Sequence, residues 1–355
     1  MEIKKVLFQD YQEILILTKK NNLDILDEED WKNLWIKNPF FNENKEKWTV
    51  GWKAVYKNKI VGVTLNIPFI FLYEKKTYLA AVCNNYVVDK KHRNCSLLLR
   101  HHFLTQEEVD LCITNSANEA SEQIMEAFKA KKIIQYDYQN RLIYLINKNK
   151  IFFQILKKFN FIKLIKNISN LLKFKKKISK KICSFNLIES FDEDFKNFDN
   201  KILNNEKIYS SKNFNWLSWK YLKYIRNKNL IIVKIFKENK FIGFIVLIKS
   251  FEKKYNLSKL SIVEVTLLDE DTDILESVFD YCIKLGKSKK FDLIDVIGFN
   301  KKKRQAFEKV GFIKKKSKNF NFLIKNNNKY LEKILFNNTY GSDFSLTDGD
   351  GIFYL

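Results

Sequence analysis

The run Asn85-Tyr86-Val87-Val88-Asp89-Lys90-Lys91-His92-Arg93-Asn94-Cys95-Ser96-Leu97-Leu98-Leu99 changes character in its middle. A strand-like segment ends at Asp89, a basic loop follows over residues 90–94, and from Cys95 the apolar residues predict a helix. A strand that passes into a helix through a basic turn is either an anion site or a plain helix start preceded by a solvated turn. The first helical turn carries unpaired N–H groups and the positive end of the macrodipole, and Arg93 adds a full charge.

Working outward, three strands are predicted upstream over 48–56, 59–72 and 77–88, with turns at Lys57-Asn58 and Glu74-Lys75-Lys76, which makes an antiparallel meander. Two amphipathic helices precede it. One carries Ile14, Leu15 and Leu17, the other Trp31, Leu34 and Trp35 behind an acidic cap over 27–30. Downstream the order becomes helix 95–105, strand 109–114 and helix 119–130. The second half repeats this sequence: helix 214–224, a hairpin over 230–249, strand 260–267, helix 274–285, strand 292–297, and helix 301–310 ending at Gly311-Phe312. A length of 355 residues exceeds one ordinary core, so the chain divides into an N-terminal domain 1–165, a Lys-rich connector 166–183 and a C-terminal domain 184–355.

Composition narrows the function. A hydrophobic fraction of 46% excludes a disordered chain, and 9 Gly with 2 Pro exclude collagen-like and low-complexity classes. The net charge of +23 would suit a polyanion, but the lysines are spread along the chain and read as a solvated basic surface. Five dispersed cysteines form no C-x-x-C pair, which predicts neither a disulfide framework nor a metal site and fits a reducing, cytoplasmic setting. The longest apolar stretch, 60–73, is too short to span a bilayer, so no membrane span is expected.

The order of helices, meander, basic loop and helix, then a strand ending in Asn before another helix, resembles the GNAT N-acyltransferase superfamily in its tandem form. The resemblance implies an α/β chain of two GNAT-like domains, each a mixed, mainly antiparallel sheet flanked by helices. The quoted run is similar to the family's strand-to-helix acyl-CoA segment, with Ser96 and Leu98 where the family has small residues. By that likeness Val87, Val88, Arg93, Asn94 and Ser96 are expected to hold the CoA of acetyl-CoA or another acyl-CoA. Asn118, in Thr114-Asn115-Ser116-Ala117-Asn118, joins them at the family's N-x-x-S position; helix capping is its other reading. Arg304 to Phe312 resembles the family's closing helix and G-F turn.

The family's usual proton-donating Tyr is replaced by Met125 and Phe307. Tyr138 is a substitute candidate, with Tyr136 beside it. Glu264 and His101 are candidate bases, each also readable as structural. The second half has Asp269, Glu270, Asp271 and Asp273 where a phosphate loop would be, so it is expected to shape the acceptor side. Trp216 and Trp219 resemble the entry helix of double-GNAT proteins and read as core or as an acceptor wall. The closing Asp343, Asp348 and Asp350 read as a polar tail that could meet an amine acceptor. The expected reaction is acyl transfer from acyl-CoA to a small-molecule or glycan amine, such as an amino sugar. A Fem-type transferase using aminoacyl-tRNA and a non-catalytic tandem binding protein are the competing readings.

Overall fold

In the computed structural model all residues are described except 134, 136, 139, 152–181, 203–206, 317–320 and 337–342. The expected connector therefore lies outside the described residues up to 181. The strands are β1 Glu2–Lys5, β2 Gly51–Tyr56, β3 Lys59–Tyr73, β4 Lys76–Val88, β5 Leu111–Ala117, β6 Lys131–Lys132, β7 Asn140–Leu145, β8 Ser184–Ile188, β9 Tyr209–Ser210, β10 Leu230–Lys237, β11 Lys240–Glu252, β12 Leu257–Leu267, β13 Leu293–Val296, β14 Ile313–Lys316 and β15 Asn321–Asn326. The helices that matter below are α1 Tyr11–Lys20, α2 Glu28–Ile36, α3 Pro39–Glu43, α4 Ser96–Leu104, α5 Glu119–Ala127, α6 Phe214–Lys220, α7 Thr272–Ser288 and α8 Lys301–Lys309.

Two compact units result. The first comprises Met1–Gln135, Asp192–Lys223 and Asn319–Leu355; the second comprises Tyr136–Phe191 and Tyr224–Lys318. The chain thus crosses between units several times instead of dividing once at a connector. In the first unit the strand order is β1-β2-β3-β4-β5-β15-β6, with β9 on β3. In the second it is β14-β7-β13-β12-β11-β10-β8. All neighbours are antiparallel except β4 with β5 and β12 with β13.

Local chemistry explains the meanders. Lys57-Asn58, Glu74-Lys75 and Glu238-Asn239 all have positive φ and form two-residue turns whose twist matches the flanking strands. In the first unit α1 buries Ile14 and Leu17, and α2 buries Trp31, Leu34 and Trp35. The Trp35 and Trp48 indoles both donate to the Asn66 carbonyl, at 2.8 and 2.9 Å. Asp27 caps α2 as expected, accepting from the Asp30 amide.

One assignment from sequence changes unit. The tryptophan helix α6 belongs to the first unit and does not open the second. Trp219 packs edge-on against Phe69 of β3 and donates to the Asn33 carbonyl at 3.1 Å, while β9 just before the helix pairs with β3. In the second unit Phe307 stacks on Phe279 with ring centroids 3.5 Å apart, so this position is core. Gly311, at φ 104°, ends α8 as a left-handed cap.

Candidate functional site

The site of interest lies where β4 and β5 part. They pair in parallel only from Ala80–Leu111 to Val82–Ile113. Beyond this point β4 stays with β3 through a bulge, Val63 facing Val87 and Leu65 facing Asn84, with Asn85 at φ 44°. A bulge bends its strand and sharpens the twist, so β4 leaves its neighbour while its other edge remains paired. Such a divergence between parallel strands is where open α/β sheets place ligands.

At the far end of β4, residues 89–96 form the candidate anion loop. A 3-10 turn, Lys90–Cys95, leads directly into α4. Val87 is buried, Val88 half-buried, Arg93 and Asn94 exposed and Ser96 half-buried. These five residues are brought together as one strand, loop and helix start. Arg93 is free to face an anion from solvent, and the Ser96 carbonyl accepts from the Tyr86 hydroxyl. Asp89 modifies the electrostatics: its carboxylate accepts from the Lys91 amide at 3.0 Å and pairs with Lys20 Nζ at 2.5 Å. Lys20, with help from the amide, holds this carboxyl below the usual carboxylate range. Lys20 is a partner that sequence spacing could not show, 69 residues upstream.

At the opening itself stand groups contributed by the closing segment. Two 3-10 turns, Leu346–Asp348 and Asp350–Tyr354, lie against it. Asn115 of β5 donates through Nδ2 to the Leu346 carbonyl at 3.1 Å and accepts from the Gly351 amide at 3.4 Å. The hydroxyl of Ser116 donates to Asp350 Oδ1 at 3.1 Å. The Tyr354 hydroxyl lies 2.5 Å from Asn85 Oδ1 and 3.2 Å from Asn84 Oδ1 on β4. The segment therefore touches both diverging strands.

Its carboxylates have distinct roles. Asp348 is buried and accepts from Ser210 at 2.5 Å and from the Ser345 amide at 2.7 Å, while the buried Lys212 and Lys220 both reach Ser210. This is an anchor. Asp350 is also buried, and burial pushes its carboxyl up to about 7 against the lowering influence of Ser116, the Arg100 charge and Asn84. Arg100 itself is buried on α4, stacked 3.7 Å over the Tyr86 ring and 3.0 Å from the Cys83 sulfur. Burial raises the Tyr354 hydroxyl well above its ordinary value, keeping it protonated. Asp350 is one of the closing carboxylates that could meet an amine acceptor, whereas Tyr354 is a candidate that sequence reading did not single out. A polar tail carries no signal of the strands it will lie against.

Other predicted residues fall elsewhere. Asn118, directly after β5, caps α5 by accepting from the Ser121 amide at 2.9 Å, the second of its two expected roles, and this bond leaves its amide nitrogen out. His101 is exposed in the last turn of α4 beside the Phe128 ring. Tyr138 is buried in the turn before β7 and belongs to the second unit. Tyr136 lies outside the described residues. Glu264 is buried on β12 in the second unit, accepting from Thr266 at 3.3 Å. Met125 is buried with the Thr114 hydroxyl 3.9 Å from its sulfur. Among the described residues no three His, Cys, Asp or Glu side chains gather as a metal site.

The second unit has a corresponding divergence, since β12 and β13 pair only from Lys259–Leu293 to Ile262–Val296. Here the backbone is already engaged. Lys303 of α8, itself buried, donates to the Val265 carbonyl at 2.6 Å and pairs with Glu270 at 3.0 Å. The α7 start is capped by Asp271, whose carboxylate accepts from the Asp273 and Ile274 amides. Two carboxylates thus occupy the place where an anion would need positive charge.

No protein-family model and no curated protein matches the sequence. Among solved structures, the chain is similar to a GCN5-related N-acetyltransferase from Anabaena variabilis, with 10% identity and a TM-score of 0.59 over 92% of this chain and 73% of that one. It is similar to a probable N-acyltransferase from Enterococcus faecalis, at 10% identity and 0.58 over 92% and 72%. Saccharomyces cerevisiae N-myristoyltransferase with bound myristoyl-CoA matches at 12% identity and 0.54, over 92% of this chain and 78% of that one. The fold is that of these acyltransferases, two GNAT-like units in one chain.

Proposed function

We propose that the chain is an acyl-CoA-dependent N-acyltransferase whose donor lies in the β4/β5 divergence of the first unit. The observation that carries this is the combination of an early end to β4/β5 pairing, the bulge at Asn85 and the basic 3-10 turn leading into α4. A diverging strand leaves backbone N–H and C=O groups for an extended pantetheine arm, and the loop offers Arg93 to its phosphate end. In the second unit Lys303 occupies the Val265 carbonyl, and the acidic run Asp269-Glu270-Asp271 stands where the first unit has Lys90 to Arg93, which supports a single donor site. The acceptor is an amine, and an amino sugar is the first class to test.

The test is a thermal shift with acetyl-CoA and with longer acyl-CoA donors, followed by thiol release in the presence of amines. Donor binding should raise Tm, and Arg93→Glu should abolish that rise. An unmoved Tm at millimolar acetyl-CoA and longer donors sinks the proposal and leaves the non-catalytic binding reading, which the self-capping of the loop by Asp89 favours. The Fem-type reading is separated by its donor: aminoacyl-tRNA would bind with a steep salt dependence.

A further inference from the structure

The closing segment reads in sequence as a polar tail that could meet an amine acceptor, and in the structure it is firmly secured at the opening. Its anchor, Asp348, is held by Ser210 and Ser345, and Asn115 grips the backbone of both turns, at Leu346 and at Gly351. The approach is so close that a Cβ on Gly349 would lie 2.3 Å from the Asn115 side chain. This attachment places one carboxylate, Asp350, at the divergence, and its bonded partner Ser116 is exposed. A buried acid whose hydrogen-bond partner opens to solvent can exchange protons with a ligand at that mouth.

We infer that Asp350, with Ser116, forms the acceptor subsite: it binds a cationic primary amine as its ammonium and takes the proton that makes the amine nucleophilic. This rests on the donor reading above. The ammonium gives one proton to Asp350, which releases it to solvent past Ser116. The neutral amine attacks the thioester carbonyl carbon, the C–N bond forms and the C–S bond breaks. The thiolate leaves with a proton from Tyr354, and the second amine proton restores that hydroxyl. The products are the amide and free CoA thiol.

The surroundings suit this role. Facing Asp350 are Ser116 from β5, Arg100 from α4, the uncharged Asn84 from β4 and Tyr354 from its own turn, while Tyr354 also meets Asn85 and Cys83 of β4 and the charge of Asp24. Arg100 is the positive charge of this set, and it is occupied by Tyr86 and Cys83. A carboxyl poised near neutrality is well matched to proton transfer at physiological pH.

The experiment compares wild type with Asp350→Asn and Asp350→Glu, using acetyl-CoA and glucosamine, spermidine, ethanolamine or a glycyl peptide as probes. Asp350→Asn should show the wild-type thermal shift with acetyl-CoA but lose thiol release by about 100-fold or more. The wild-type rate should rise through neutral pH, and that limb should vanish in Asp350→Asn and return, displaced, in Asp350→Glu. An Asp350→Asn enzyme that keeps its rate and its pH limb overturns the inference while leaving the donor reading intact. If wild type binds no acyl-CoA, the donor reading fails alone. The subsite is then judged by carbon NMR of labelled Asp carboxyls, where an amine that binds must lower the midpoint of the Asp350 resonance. No displacement by any of the probes overturns the subsite.

Discussion

At the residue scale, Asp89 sets the charge of the loop proposed to hold the anion. Its carboxylate stabilises the 3-10 turn by capping Lys91 but places a negative charge beside the position proposed for the pyrophosphate. Asp89→Asn keeps an acceptor for the amide and removes the charge. Charge effects at helix starts are about 0.3–1 kcal/mol, so acyl-CoA affinity should rise roughly two- to fivefold, read by calorimetry. Weaker binding would mean that the Lys20 ion pair orients the loop more than the charge opposes the ligand. Asp350 gives a second residue-scale prediction. Its folded pKa lies above that of an exposed aspartate, so the native state holds the extra proton between acid pH and neutrality. The stability this proton contributes is present in acid and is lost as pH rises through about 7. Wild type should therefore lose Tm relative to Asp350→Asn between pH 5 and 8; parallel curves would show that the carboxyl ionises without cost. Arg93 was legible in sequence because loop chemistry is local. The ion pair of Lys20, the strand that Asp350 meets and the place of Tyr354 were not, because each partner lies far along the chain.

At the scale of elements, hairpins and capped helices could be read almost directly. Two-residue turns with Asn or Lys between apolar strands announce themselves, as does Asp27 ahead of α2. The closing segment could not, since its short 3-10 turns have no periodicity and draw their order from Asn115, Ser210 and Lys212. Its attachment makes a sharp prediction. Gly349 has extended backbone, φ −166°, so an alanine is conformationally allowed, but its Cβ would meet the buried Asn115 amide. Gly349→Ala should cost about 1–3 kcal/mol by overpacking and lower Tm, and it should reduce amine turnover more than acyl-CoA binding. Asn115→Ala in the same chain should recover part of the steric cost while losing the bonds to Leu346 and Gly351. An unchanged Tm in Gly349→Ala would mean that the segment does not hold this position against Asn115.

At the scale of the molecule, element order gave the duplication correctly, but a linear reading assigns each strand to the half in which it occurs. The sheets do not obey that. β7, from the first half of the chain, lies between β13 and β14, and β15, from near the end, lies between β5 and β6. Both insertions are antiparallel and extended, with β7 pairing four residues on each side and β15 pairing with β5 from Asn321–Ala117 to Asn326–Leu111. A chain cut within the expected connector would therefore yield two incomplete sheets instead of two domains. Fragment 1–165 would lack β15 and the tryptophan helix α6, and fragment 184–355 would lack an internal strand. An absent internal strand exposes two rows of unpaired backbone groups and an apolar face, which favours aggregation. Expressed singly, each fragment should be insoluble or molten, with weak near-ultraviolet circular dichroism. Expressed together they should copurify and recover the near-ultraviolet signal, since both sheets then regain every strand. Two fragments that fold independently would refute the exchange of strands and restore the simple division of the chain at its connector.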